Sequence, residues 1–144
     1  MIKRFLLILL AFLFVVSCNG NTTTPVVDEG AQARNEMTAL FGKMEQSWNA
    51  RNWSTYNSVF HKDLKAKYVN SDGSTGYWDY SKYTSTAPDR RERIGMMYVK
   101  NLKIMSFSKT LIKVEVTLER GGKDAINVFN VINDGGTWRI ISND

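Results

Sequence analysis

The C-terminal third of this chain constrains its fold more than any other part. Ile112, Val114, Val116 and Leu118 are apolar, and Lys113, Glu115 and Thr117 stand between them. Successive side chains of a strand point to opposite faces, so this period of two makes one apolar face and one polar face. Residues 97–107, 125–132 and 138–142 are strand-like as well. Arg120-Gly121-Gly122-Lys123 and Asn133-Asp134-Gly135-Gly136 lie between such runs and carry hairpin-turn chemistry. Three or four consecutive antiparallel strands with one wet face must lay the other face on a second layer.

The N-terminal half supplies that layer. Met37, Leu40, Phe41, Met44 and Trp48 recur at helical spacing, which predicts an amphipathic helix over residues 31–51. Asn52 is a stop, and Ser54 or Thr55 can cap a short second helix bearing Tyr56, Val59 and Phe60. Leu64, Ala66 and Tyr68 alternate with lysines and predict a half-buried strand. Residues 71–76 are loop chemistry. In residues 77–93 we read a short helix near 79–85, broken before Pro88, and then a charged turn. Helices first and strands afterwards mean α+β: N-terminal helices packed on a curved antiparallel sheet.

The first thirty residues are of another kind. Lys3 and Arg4 precede an unbroken apolar run, FLLILLAFLFVV, of about twelve residues. That is an h-region length, short of the roughly twenty that span a bilayer. Ser17 and Cys18 follow, and Cys18 is the only cysteine. Val15-Val16-Ser17-Cys18 resembles the lipobox of bacterial lipoproteins. The resemblance implies cleavage before Cys18, a diacylglycerol thioether on its thiol, and acylation of the new amine, commonly by palmitate. Two or three chains anchor stably where one does not. Asn19 leans toward outer-membrane sorting if the source is diderm. The expected organisation is a signal peptide over 1–17, a flexible tether over 18–30 and one domain over 31–144. Without Lys3 and Arg4 the chain carries 17 basic and 14 acidic side chains, a mild +3. No nucleic-acid partner is expected from so dispersed a charge in that compartment.

The order of elements resembles the NTF2-like superfamily (SnoaL-like, cystatin-like cone). Two stretches carry the likeness. Residues 44–63, MEQSWNARNWSTYNSVFHKD, look like its opening: long helix, polar break, short helix ending in Phe, then a step into a strand. Residues 128–142, VFNVINDGGTWRIIS, look like its closing hairpin. The resemblance implies a bent sheet wrapped round the long helix, with a pocket at the wide end. Such folds host enzymes, dimerisation modules and binding proteins alike.

Chemistry is sparse. One cysteine excludes intramolecular disulfides and thiolate zinc sites, one histidine excludes a multi-histidine centre, and no cofactor motif is present. No metal or cofactor is therefore expected. His61 and Asp63 would share a side on an extended segment and can pair, although polar residues at such a turn are ordinarily solvated. Asp79 is a third acid–base candidate, or the cap of the short helix. Trp48, Tyr68, Trp78, Tyr80 and Tyr83 are the expected ligand-binding residues, since aromatics with polar tips line small-molecule sites. Asp89-Arg90-Arg91-Glu92-Arg93 can grip an anion through its Arg forks, but a mixed-sign run more often faces solvent. The expected function is a lipid-anchored envelope protein that binds a small apolar ligand or an envelope partner without catalysis. The alternative is a small enzyme of the SnoaL or ketosteroid-isomerase type using a pocket carboxylate and Tyr. A homodimer through the exposed sheet face is a further expectation.

Overall fold

A computed structural model describes residues 28–144. Cys18 and the apolar run before it lie outside the described residues.

Helix α1 (Glu29–Asn49) starts where Asp28 accepts hydrogen bonds from the backbone N–H of Gly30 and Ala31, at 3.0 and 3.2 Å. Its apolar stripe is buried along its length, with Met37 and Phe41 fully covered. After Arg51, which takes a left-handed turn at φ 57°, helix α2 (Trp53–Asn57) begins. Asn52 caps α2 by accepting from the Thr55 N–H at 3.1 Å, so the residue expected to stop one helix starts the next. Ser54 and Thr55, the expected caps, lie inside α2.

Strand β1 (Phe60–Val69) leads into β2 (Thr75–Trp78), then helices α3 (Tyr80–Ser85) and α4 (Ala87–Ile94). Strands β3 (Met97–Phe107), β4 (Leu111–Arg120), β5 (Lys123–Asp134) and β6 (Thr137–Asn143) complete the domain. Two expectations are corrected here. Thr75 and Gly76 open a strand that we read as loop, and the charged turn is helix α4. Pro88 lies in the first turn of that helix, where its missing N–H has no partner to lose.

The sheet has six strands in the order β2-β1-β6-β5-β4-β3. Strands β3 to β6 form the expected antiparallel meander. The sheet is nonetheless mixed, because β1 pairs parallel to β6. These two strands are joined through all of β2 to β5, and a parallel pair needs such a long crossover. Register shifts in β3, between β5 and β6 and between β1 and β6 mark bulges, which bend strands and raise local twist. The curved sheet lays Ile112, Val114, Val116, Leu118, Phe129, Val131 and Ile140 against the α1 stripe.

Strand β3 is an edge, and α1 covers its start. The Asn49 side chain donates to the Met97 carbonyl at 2.7 Å and accepts from the Met97 N–H at 2.9 Å. Glu45 accepts from the Val99 N–H at 2.8 Å. Side chains of the helix thus satisfy backbone groups that an open edge would expose. Among the described residues no helix is long and apolar enough to cross a membrane.

Candidate functional site

Alternation along the strands and the face of α4 together decide what lines the cone. On β4 the inward row Ile112, Val114, Val116, Leu118 continues by one step to Arg120. On the paired strand β5, Asn127 shares the inward row of Phe129 and Val131. On α4, Ala87, Arg90 and Ile94 are spaced by three and four residues and share a face. Gly95 follows at φ 75°, a conformation glycine adopts freely, and turns the chain into β3. Its carbonyl accepts from the Trp48 indole N–H at 3.0 Å, tying α4 to α1.

At the end of the sheet where β4 turns into β5, these residues enclose a cavity of about 120 Å³. Buried Met44, Trp48, Tyr56, Met97, Leu118 and Phe129 form its floor. Partly or fully exposed Lys67, Arg90, Arg120, Asn127 and Asn143 form its mouth. Among the described residues no carboxylate and no imidazole lines it.

Arg90 is held in a fixed pose. Its guanidinium lies 3.9 Å from the centroid of the Tyr83 ring and 5.7 Å from those of Trp48 and Trp78. Its Nη2 donates to the Tyr83 carbonyl at 2.6 Å, while its Nε is buried with no hydrogen-bond partner. Beneath it the Tyr56 hydroxyl donates to the Tyr83 hydroxyl at 3.4 Å. Burial drives the Tyr56 pKa well above the ordinary tyrosine range, and neighbouring Tyr83 adds to the rise. Burial also pushes Tyr83 up, but the Arg90 guanidinium, the hydrogen bond from Tyr56 and the charge of Arg120 outweigh it and hold Tyr83 below that range. Arg90, in contact with Tyr83, and the more remote charge of Arg120 both favour negative charge on that hydroxyl.

Of the residues expected to bind ligand, Trp48 and Tyr83 line the cavity. Tyr68, Trp78 and Tyr80 do not. Trp78 backs Arg90 from behind and stacks on Tyr68 at 5.1 Å, and both strands carrying that pair lie at the far edge of the sheet. Tyr80 packs against the core from α3.

The three acid–base candidates fall outside the cavity. Asp79 is the N-cap of α3 and accepts from the Lys82 N–H at 2.8 Å. Asp63 is exposed on the outer side of β1, where it and Asp79 flank an open depression. The His61 ring is buried, but its Nδ1 accepts from the Asp63 backbone N–H at 3.1 Å rather than pairing with the carboxylate, which is 3.7 Å away. Its Nε2 is 3.8 Å from the carboxylate of Asp134 at the end of β5, also beyond hydrogen-bond distance.

Arg120, Asn127 and Tyr56 were not among the expected site residues, and Arg90 entered only as part of the 89–93 run that can grip an anion but more often faces solvent. Two had a legible signal: Arg120 continues the period-two row, and Arg90 keeps helical spacing with Ala87 and Ile94.

No protein-family model matches the chain, and no curated protein matches it in sequence. Solved structures do match in fold. An NTF2-like protein of unknown function from Shewanella baltica superposes with a TM-score of 0.63 at 11% identity, covering 78% of this chain and 91% of its own. A cystatin-like-fold protein of unknown function from Nostoc punctiforme gives 0.59 at 14% identity, covering 78% and 89%. A protein named as a candidate scytalone dehydratase from Novosphingobium aromaticivorans gives 0.60 at 12% identity, covering 81% and 84%. The domain has the NTF2-like, cystatin-like cone fold.

Proposed function

We propose that this protein is a lipid-anchored envelope protein whose cone holds a small ligand without transforming it. The observation that carries the reading is the make-up of the cavity wall. General acid–base chemistry needs a titratable group within hydrogen-bond reach of the reacting atom. Asp63 and Asp79 stand on the outside, and no other carboxylate or imidazole of the described residues enters. Tyr83 and the arginines can stabilise negative charge, yet an isomerase of the ketosteroid type also needs a base to carry the proton. What remains is a preformed recess with an apolar floor and a few directed polar groups, the usual make-up of a binding site.

The test uses full-length protein purified from its own envelope in detergent. Non-denaturing mass spectrometry is expected to show a small bound mass that is lost in Asn127→Trp, where an indole blocks the mouth. An unchanged spectrum in that variant, or no bound mass in either protein, counts against the reading. The anchor rests on Val15-Val16-Ser17-Cys18 and has its own test. Cys18→Ser is expected to leave the protein unprocessed or to release it from the membrane fraction, and normal fractionation would remove the anchor.

A homodimer has separate support. Tyr98 and Met105 of β3, Leu111 of β4 and Ile126 of β5 are exposed large apolar side chains. Sedimentation of the full chain is expected to show a dimer, and a monomer at all concentrations would refute it.

A further inference from the structure

We propose that the ligand of the cone is a small organic acid, with its carboxylate held by Arg90 and Arg120 and its short apolar body seated on Leu118 and Phe129. This rests on the reading of the cavity as a ligand site and specifies what enters it.

Charge is the first argument. Arg90, Arg120 and Lys67 border one small cavity, and none has a carboxylate partner among the described residues. Two nearby acids are engaged elsewhere: Glu92 pairs with Arg51 at 2.8 Å, and Glu119 pairs with Lys100. Cations gathered without a counter-charge repel one another, and a bound anion relieves that repulsion. Three cations around an uncharged wall therefore discriminate an acid from its neutral isostere.

Pose is the second argument. An arginine that must swing into place loses rotamer freedom on binding, about 2 kcal/mol at most for such a side chain. Arg90 is already clamped between its stacking contact on Tyr83 and its bond to the Tyr83 carbonyl. Its Nη2 is used on that carbonyl, while its Nη1 makes no hydrogen bond among the described residues and is left to donate to a carboxylate oxygen. Asn143 adds a neutral donor. Its Oδ1 accepts from the Lys67 N–H at 3.0 Å, which leaves the amide nitrogen for a ligand.

Size and floor decide the rest. A cavity of about 120 Å³ is too small to enclose a sterol or an acyl lipid and suits a carboxylate on a short chain or a single ring. A bare inorganic anion would leave Met44, Met97, Leu118 and Phe129 facing an ion, whereas an apolar body covers them.

Isothermal titration of the full-length protein with benzoate, its neutral isostere benzamide and inorganic phosphate tests the assignment. Benzoate is expected to bind about tenfold or more tightly than benzamide, since hydrogen bonds to a charged group are worth that much. Its affinity is expected to fall as salt rises. Arg120→Gln is the decisive variant, because Arg120 sits at a strand end and makes no side-chain hydrogen bond among the described residues, whereas Arg90 also stitches α4 to α3. Arg120→Gln is expected to weaken benzoate about tenfold and benzamide by much less, narrowing the preference for the acid. Equal binding of benzoate and benzamide would overturn the acid assignment while leaving a ligand cavity in place. Binding of phosphate without benzoate would overturn the organic body. Failure of all three probes would overturn the assignment, and the cavity reading then stands or falls on the envelope-purified protein and its Asn127→Trp variant.

Discussion

Replacing Asn49 by Ala should destabilise the domain by about 2 kcal/mol, a large effect for one half-buried amide at a helix end. The amide makes two hydrogen bonds to the same residue, 2.7 Å to the Met97 carbonyl and 2.9 Å from its N–H. Each is worth about 1 kcal/mol net, and more where the abandoned partner stays dry. Met97 is only 4% exposed, so water reaches its backbone poorly once the amide is gone. Alanine returns part of this through helix propensity, at most about 0.7 kcal/mol. The balance is close to 2 kcal/mol, or a fall in Tm of about 8 °C for a domain of this size. Urea unfolding followed by tryptophan fluorescence measures it, with Gln46→Ala as the exposed neighbour expected to stay within about 0.5 kcal/mol. If Asn49→Ala also stays within about 0.5 kcal/mol, the helix does not hold the β3 edge by this clamp, and the account of how the sheet curls round α1 is wrong.

Three further outcomes follow from contacts already described. Gly76→Ala is expected to lose about 1–3 kcal/mol, because a Cβ there would lie 2.5 Å from the Tyr68 hydroxyl oxygen and force that ring off Trp78; an unchanged unfolding midpoint would refute this. Asp79→Ala is expected to cost about 1 kcal/mol through the lost α3 cap and to leave benzoate affinity unchanged, whereas a change in affinity would return Asp79 to the site. In an ultraviolet pH titration one tyrosine is expected to ionise below the ordinary range and to vanish in Tyr83→Phe, and an unaltered curve would refute the assignment. The linked stability has a definite sign. A depressed folded pKa makes the Tyr83 contribution fully present above the unfolded value near 10, and lost as pH falls through the folded value. Tyr56, raised by burial, opposes it at high pH, because its unfolded form ionises first.

Local periodicity carried most of the fold into view. The stripe from Met37 to Trp48 and the row from Ile112 to Leu118 each bury one face, and a buried face writes its period into the residues themselves. The parallel pairing of β1 with β6 was not legible, because its partners are some eighty residues apart and no short-range pattern records which edges meet. Strand β2 is four residues long and begins Thr-Gly, too short to show alternation. Helix α4 was hidden by Pro88, which reads as a breaker until it is seen in a first turn. That misreading carried over to the site. As a turn, residues 89–93 have no face; as a helix they set Arg90 beside Ala87 and Ile94 and point it at Tyr83. The aromatic residues were easier to single out than to place, since composition shows that rings cluster but not which side of a sheet edge they occupy.

A small acid in the recess between Arg90, Arg120, Leu118 and Phe129 would be seen in a crystal structure of the protein grown with benzoate. The carboxylate is expected within hydrogen-bond distance of both guanidinium groups and the ring against Leu118 and Phe129. An empty recess at saturating benzoate, or the ring bound with its carboxylate turned away from both arginines, would contradict that placement.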